Sequence, residues 1–417
     1  MPPSLHAADQ QIHGFHVGPA IPIDELQATA SRAEHRATGL QVLCLEAADA
    51  ENLLAICFPT WPTDNTGTPH IAEHVALGGS RSYPLRDPFV ELLKCSMATF
   101  ANAMTYADRT LFPVASNVAE DFRNLARVYL DAAFHPLLRR ESFAQEGYAL
   151  FPGDPQNPAA GLREQGVVHS EMNGAYAELD TVVQTALCAE LLGGTPYEHD
   201  SGGIPASIAT LRYEQFIAFC HDHYRPDRAL VFCYGDLGVP AWLELLAEAL
   251  ADVPALPSPR AWPPLPAPVA RWETPREQVL PVTIGPDEEP EDRTAVVVAW
   301  HVGVFPNVEE SLALDFLDHL LLGNPGAPLR QALTESGLGD DLFLAGFDSE
   351  RRETTFQIGL RGCPCDRRHE VLNLVLETLA NLAEQGIPRT TILAALNQME
   401  FSRRQVDGHY AISLAED

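Results

Sequence analysis

The chain has 417 residues, 46% of them hydrophobic and 20% charged, and a formal charge of −30 at pH 7. That length exceeds one ordinary core and predicts two domains of about 200 residues each, while the composition excludes a disordered chain. The acid excess argues against nucleic-acid binding, which needs basic patches, and no apolar run of 18 residues is present to span a membrane.

The N-terminal stretch Met1-Pro-Pro-Ser-Leu-His6 has neither the basic-then-apolar pattern of a secretory signal nor an Arg-rich transit segment, which predicts a cytoplasmic protein. The eight cysteines are scattered, most in apolar surroundings, as reduced core thiols are. Cys363-Pro-Cys365 is too close and too isolated for a zinc knuckle and reads as a loop. An acidic surface favours solubility and would attract basic peptides; a plain solvated surface is the simpler reading.

In chain order, residues 12–16 and 24–34 read as short extended pieces, and 40–45 and 52–58 as apolar strands bounded by Gly, Asp and Pro. A helix over about 68–78 follows, with Thr66 or Thr68 as candidate caps and Gly78-Gly79 as its stop. This helix carries the sharpest signal in the chain, Thr68-Pro-His70-Ile-Ala-Glu73-His74. His70 and His74 are four residues apart, so their imidazoles project from one face, one turn apart, as two ligands of one metal ion require. Glu73 is placed to act on water rather than to bind the metal. The order H-x-x-E-H inverts the commoner H-E-x-x-H and marks the inverzincin class of zinc peptidases.

A helix opened by Asp87-Pro88 runs to Lys94 with Phe89, Leu92 and Leu93 as its apolar stripe. Residues 99–105 and 110–116 read as a hairpin, Pro113 marking an edge or irregular position. Helices are expected at about 118–134 and 141–149. Glu164 and Glu171 are seven apart, which predicts a shared helix face. An acidic ligand from a second helix is what a two-His helix needs to complete a His₂Glu site. His169 falls on a different face and is expected not to be a ligand. A helix at 212–222 and a strand at 229–234 close the first unit; His221-Asp-His223 reads as a dipole-compensating helix end.

Seven prolines within 253–268 mark the domain boundary. Three segments follow from this: a metal-bearing domain over 11–252, a linker over 253–274, and a second domain without metal over 275–417. The second domain repeats the grammar, with a strand at 294–302, a helix at 308–322, strands near 342–348 and 354–361, and helices at 366–385 and 389–404. Leu317–Gly323 lines up with Ala72–Gly78, so that Asp318 matches Glu73, His319 matches His74, and Asp315 stands where His70 does. This is either a decayed copy of the metal helix or a chance likeness of two amphipathic helices.

The motifs together resemble those of the pitrilysin/insulinase metallopeptidases, in particular the N-terminal half of their presequence-protease branch. The resemblance runs from about 11 to about 405. It rests on Ile12-His-Gly-Phe15, Thr66–His74, Gly79-Ser80 with Tyr83-Pro84, Asp87-Pro88-Phe89, Asn102-Ala103-Met104-Thr105, Gln145-Glu-Gly147, Ser170-Glu-Met172, His223-Tyr-Arg-Pro226 and Glu335-Ser-Gly-Leu338. It implies an α+β fold of two homologous two-layer α/β domains, each a mostly antiparallel sheet with helices packed on one side. It implies zinc on His70, His74 and Glu171, with Glu73 as general base and Glu164 as a supporting carboxylate. It also implies a peptide bound as an added strand at Asn102-Ala103-Met104, with a side-chain pocket of Leu77, Phe89, Val90 and Leu93. Ala72 departs from the larger aliphatic residue expected between the ligands.

Members of this branch carry a second homologous half that closes over the substrate and supplies an Arg and a Tyr. The sequence therefore leaves two readings open. One is a zinc metalloendopeptidase acting on unfolded peptides. The other is a non-catalytic or partner-dependent zinc-containing peptide-binding subunit, or a fragment inactive without a second half, its partner being a homologous C-terminal half or a second copy of itself.

Overall fold

The structure, a computed structural model, describes residues 10–416 apart from 155, 256–266, 286, 288, 291–293, 305–307 and 405–409. The middle of the expected proline-rich linker therefore lies outside the described residues. In chain order the strands and helices begin with β1 (Gln10–Ile12), β2 (Phe15–Val17), β3 (Ile21–Ile23), β4 (Ala28–His35), β5 (Gln41–Ala47), β6 (Asn52–Pro59), α1 (Thr68–Leu77), α2 (Pro88–Cys95), β7 (Ala98–Ala101), β8 (Met104–Thr105) and β9 (Arg109–Ser116). Then come α3 (Ala119–Phe134), α4 (Arg140–Glu146), β10 (Ala149–Pro152), β11 (Leu162–Gln165), α5 (Val167–Ala175), α6 (Leu179–Leu191), α7 (Pro205–Ile208), α8 (Tyr213–His223), β12 (Leu230–Gly235) and α9 (Val239–Leu250). The remainder is β13 (Ala295–Val304), α10 (Val308–Leu322), α11 (Pro328–Glu335), β14 (Asp341–Asp348), β15 (Glu353–Arg361), α12 (Arg368–Gln385), α13 (Arg389–Arg403) and α14 (Tyr410–Glu416).

The first of two units comprises Met1–Asn173, Asp200–Leu265 and Val406–Asp417. Its sheet has the order β1-β2-β4-β5-β12-β6-β9-β7, with β3 added on β4 and β8 on β9. All pairs are antiparallel except β5–β12. Successive strand residues point to opposite faces. Ile56 and Phe58 of β6 turn towards the helices, where Phe58 meets Phe134 of α3 at 5.9 Å and stacks on Tyr224 at 4.8 Å between ring centroids. Leu53 and Ala55 turn the other way and, with Leu45, Leu111, Phe232 and Tyr234, pack on Ala411 and Ile412 of α14. Both faces of β6 are thus covered, which is why it reads as a nearly unbroken apolar run. Each fully buried large side chain here contributes roughly 1.5–3 kcal/mol over an exposed one.

The second unit comprises Gly174–His199 and Pro266–Gln405. Its antiparallel sheet has the order β13-β15-β14, and Phe356, Ile358 and Leu360 of β15 form its core with Leu329 and Leu333 of α11 and Val371 and Val375 of α12. The α6 helix belongs to this unit: Gln357 of β15 donates to Gln184 at 2.8 Å, and Arg361 donates to Asp180 at 2.9 Å. The units therefore differ from the linear division read from the sequence. Each is completed by a helix from the other side of the linker, α6 in one and α14 in the other. An amphipathic stripe announces that a helix has a buried face but not which sheet buries it.

Candidate functional site

The site lies wholly in the first unit. Ile71, Ala72, Val75 and Ala76 bury one face of α1 almost completely, which turns His70 and His74 to the opposite side. Neither Thr66 nor Thr68 caps this helix; the N-cap is Gly67, at φ +65° and with no side-chain bond. A Cβ at Gly67 would stand 2.4 Å from the Gly202 carbonyl oxygen, so only glycine lets the 200–203 loop close on the start of the helix.

Glu171 arrives on α5. Glu164 does not share that helix, contrary to the sevenfold spacing: it belongs to β11, paired with β10. Gly166 separates the two elements. Its Cβ would lie 1.9 Å from the Gly147 carbonyl oxygen, so the chain crosses the end of α4 in close backbone contact and the helix starts afresh at Val167. Glu164 is exposed and accepts from Tyr148 at 3.0 Å; it takes no part in the cluster. His169 is buried, 4.0 Å from Glu164 and beside Asn173.

His70 Nε2 and His74 Nε2 each stand 3.6 Å from Glu171 Oε2. That is too long for a hydrogen bond. It is close to the separation of roughly 3.3 Å between ligand atoms that tetrahedral zinc bonds of 2.0–2.1 Å produce. The imidazole planes cross at 80° with centroids 4.9 Å apart, so both rings aim at one point from different directions. Among the described residues this is the one group of three such side chains whose donor atoms all lie within 4.8 Å of one another. Two imidazoles and a carboxylate are a donor set that zinc accepts while keeping a fourth position open; the residues fit the ion.

Electrostatics separate the two histidines. Burial, helped by the charge of its neighbour His74, pushes the His70 pKa down to about 4, and the adjacent Gly202 backbone counters only part of this. His70 is thus neutral and ready to bind metal at pH 7. Burial also acts downward on His74, but the Glu146 hydrogen bond and the charges of Glu73 and Glu171 outweigh it and leave its pKa raised. Burial raises the Glu73 carboxyl above the ordinary range, and a 2.6 Å hydrogen bond from Thr105 Oγ1 to Glu73 Oε2 offsets some of that.

A cleft of about 710 Å³ opens over the cluster. Leu77, Phe89, Val90, Asn102, Ala103 and Met104 all line it. Leu93 does not: it sits on the outer side of α2, 45% exposed. The edge at Asn102-Ala103 has a local cause. Asn102 N–H donates to the Pro113 carbonyl at 3.2 Å, but proline has no N–H to return the bond. The Asn102 carbonyl accepts from Tyr129 Oη at 3.3 Å instead, and the edge is split into β7 and β8. Pro113 is therefore not on an edge strand; β9 lies between β6 and the broken edge.

Spacing gave no role to Thr105, Glu146 or the 200–203 loop. Glu146 is 72 residues from His74, and the one hint was its place in Gln145-Glu-Gly147.

The first unit thus joins an antiparallel sheet and a layer of helices to two imidazoles and a carboxylate whose donor atoms converge, with a second carboxylate buried beside an open sheet edge. A family profile described as "Peptidase M16 inactive domain" matches residues 210–399, a stretch containing none of His70, Glu73, His74 or Glu171. The chain is 36% identical over 415 residues to the mitochondrial presequence protease of Xenopus tropicalis, covering 98% of this chain and 40% of that protein. It is 38% identical over 389 residues to presequence protease 1, chloroplastic/mitochondrial, of Arabidopsis thaliana, covering 92% and 35%. In fold it is similar to pitrilysin, with a TM-score of 0.62 at 18% identity over 94% of this chain and 41% of that one. It is likewise similar to a peptidase M16 inactive domain from Pseudomonas fluorescens, with a TM-score of 0.67 at 16% identity over 92% and 86%. By these matches the chain is similar to part of a peptidase M16 presequence protease, and it spans about 40% of the length of such relatives.

Proposed function

We propose that this chain is the zinc-bearing portion of a metalloendopeptidase that hydrolyses unfolded peptides. The observation that carries the reading is the convergence of His70 Nε2, His74 Nε2 and Glu171 Oε2 in a cleft that also holds a buried carboxylate. Zinc held by these three side chains would supply a Lewis acid that polarises the scissile carbonyl and acidifies water. Glu73 takes the proton of the attacking water and returns it to the leaving amine. Thr105 occupies its Oε2, which leaves Oε1 for that work. The open edge at Asn102–Met104 pairs with the substrate backbone as an added strand, so recognition depends little on sequence. Leu77, Phe89 and Val90 receive a side chain beside the scissile bond. Only an extended segment can lie along the edge, which favours unfolded peptides over folded proteins.

One observation favours a second reading, in which the chain needs a partner: it spans about 40% of its curated relatives. Oxyanion stabilisation is commonly the largest catalytic contribution, with about 10²–10³ in rate lost per missing donor. On the proposed scheme those donors come from a homologous C-terminal half or from self-association.

The test is zinc analysis of the purified chain together with cleavage of a quenched, unstructured peptide, with and without a separately supplied homologous half. One zinc per chain and low turnover raised by the half are expected. Glu73→Gln keeps the zinc and loses about 10²–10⁴ of the rate. Loss of zinc in Glu73→Gln would make Glu73 a ligand instead of the base. Full turnover by a strictly monomeric chain would sink the partner-dependent reading.

A further inference from the structure

The family resemblance implied Glu164 as a carboxylate supporting the zinc ligands; in the structure Glu164 accepts from Tyr148 and stands 4.0 Å from His169. A different carboxylate faces one of the two imidazoles directly. Glu146 is the last residue of α4, a helix that packs against α1. Its Oε2 stands 3.2 Å from His74 Nδ1, on the side of the ring away from Glu171. Its Oε1 accepts from Gln145 Nε2 at 3.0 Å, and Gln145 Oε1 in turn accepts from Arg86 at 2.7 Å. Both oxygens of Glu146 are therefore engaged, and its side chain is only 16% exposed.

A carboxylate against Nδ1 holds the proton of a neutral imidazole on that nitrogen and leaves Nε2 with its lone pair free, which is the form a metal binds. It also fixes the ring's rotation, because the carboxylate is itself held from its other oxygen. Among the described residues no carboxylate faces the buried Nδ1 of His70, and the ring's hydrogen-bonding neighbour is the Gly202 backbone. The two imidazoles are thus held differently, His70 by packing and a backbone group and His74 by a charged acceptor. Arg86 and Gln145 line the cleft together with Phe89 and Val90, so the chain of bonds runs from the wall of the proposed side-chain pocket to a metal ligand.

We infer that Glu146, held by the Arg86–Gln145 pair, is the positioning residue that sets the tautomer and ring orientation of His74 for zinc. This rests on the zinc reading proposed above. Glu146 touches neither substrate nor the reacting atoms, so its effect is on the site's affinity and shape.

The experiment is zinc affinity of the full chain, measured by competition with a chelating indicator at neutral pH, for wild type, Glu146→Ala, Glu146→Gln and Glu164→Ala. Removing an outer carboxylate partner of a metal-bound histidine typically costs about 10–100-fold in metal affinity, and that is the loss expected in Glu146→Ala. Glu146→Gln still offers an oxygen to Nδ1–H and recovers part of it. Glu164→Ala stays within about twofold of wild type, since Glu164 lies outside a relay of this kind. In the zinc-loaded chain a downfield Nδ1–H proton resonance of His74 is present in wild type and Glu146→Gln and absent in Glu146→Ala. A general loss of folding would not produce that pattern, because the Gln variant keeps the side chain's shape and half of its bonding. Wild-type zinc affinity in Glu146→Ala, or a loss in Glu164→Ala as large as in Glu146→Ala, would overturn the inference. A wild-type chain that binds no zinc would instead sink the zinc reading itself, and this inference with it.

Discussion

Helices α1 and α10 make a natural comparison. Both carry an acidic residue and a histidine in adjacent positions, Glu73-His74 in one and Asp318-His319 in the other, followed four residues later by glycine. In α1 the donors are left free to converge. In α10 the two carboxylates are already committed: Asp318 accepts from the Phe347 N–H at 3.2 Å, and Asp315, in the place of His70, pairs with Arg403 at 3.2 Å. His319 presses on Gly323, where an added Cβ would come within 2.4 Å of its Nδ1. Among the described residues no carboxylate from another element joins His319 in a metal-ligating group. The difference teaches that helical spacing supplies two donors at most. A site needs a third from a separate element, and nothing nearby competing for the first two.

The strongest way to break this comparison is to remove the third donor from the first helix. Glu171→Ala leaves α1 intact and should lower zinc affinity by more than the 10–100-fold that an outer partner is worth. Equilibrium dialysis against buffered zinc measures it, and unchanged zinc content would end the ligand assignment for Glu171.

A second effect concerns the metal-free chain. Burial and the neighbouring His74 hold the folded-state pKa of His70 at about 4, against an ordinary imidazole value of 6.5. Between these values the unfolded chain binds the proton and the folded chain does not, so stability rises with pH across the window and is lost as pH falls from 6.5 through about 4. The full shift corresponds to about 3 kcal/mol. Denaturant unfolding of metal-free wild type and His70→Asn at pH 7 and pH 4 should show wild type losing more stability on acidification, by up to that amount. Parallel losses in both would show that His70 is not the group responsible.

The smallest expected effect is also the sharpest comparison. Asp315→His gives α10 its own pair of histidines four residues apart. The third donor is still missing, so the chain should still bind one zinc. Only the half-exposed Asp315–Arg403 pair is lost, a change of about 0–1 kcal/mol. A second anomalous peak at the zinc edge beside His319 would mean that helical spacing alone suffices.

Read without the structure, the chain already contained α1 and its two histidines, because an i,i+4 pair on a helix has one geometric outcome. It also contained most strands as apolar runs, the two-unit division near the proline-rich stretch, and the candidate edge at Asn102–Met104. Patterns of this kind depend on neighbours within a few residues, and local sequence records them well. Tertiary structure alone decided the rest. It exchanged α6 and α14 between the units, since a buried face does not name the sheet that buries it. It set Glu164 on a hairpin, since the close approach of Gly166 to the Gly147 backbone overrides a helical spacing of seven. It also brought Glu146 to His74 and Thr105 to Glu73. Those partners lie 72 and 32 residues apart, and side chains so distant meet only where the packing of α4 and β8 against α1 places them.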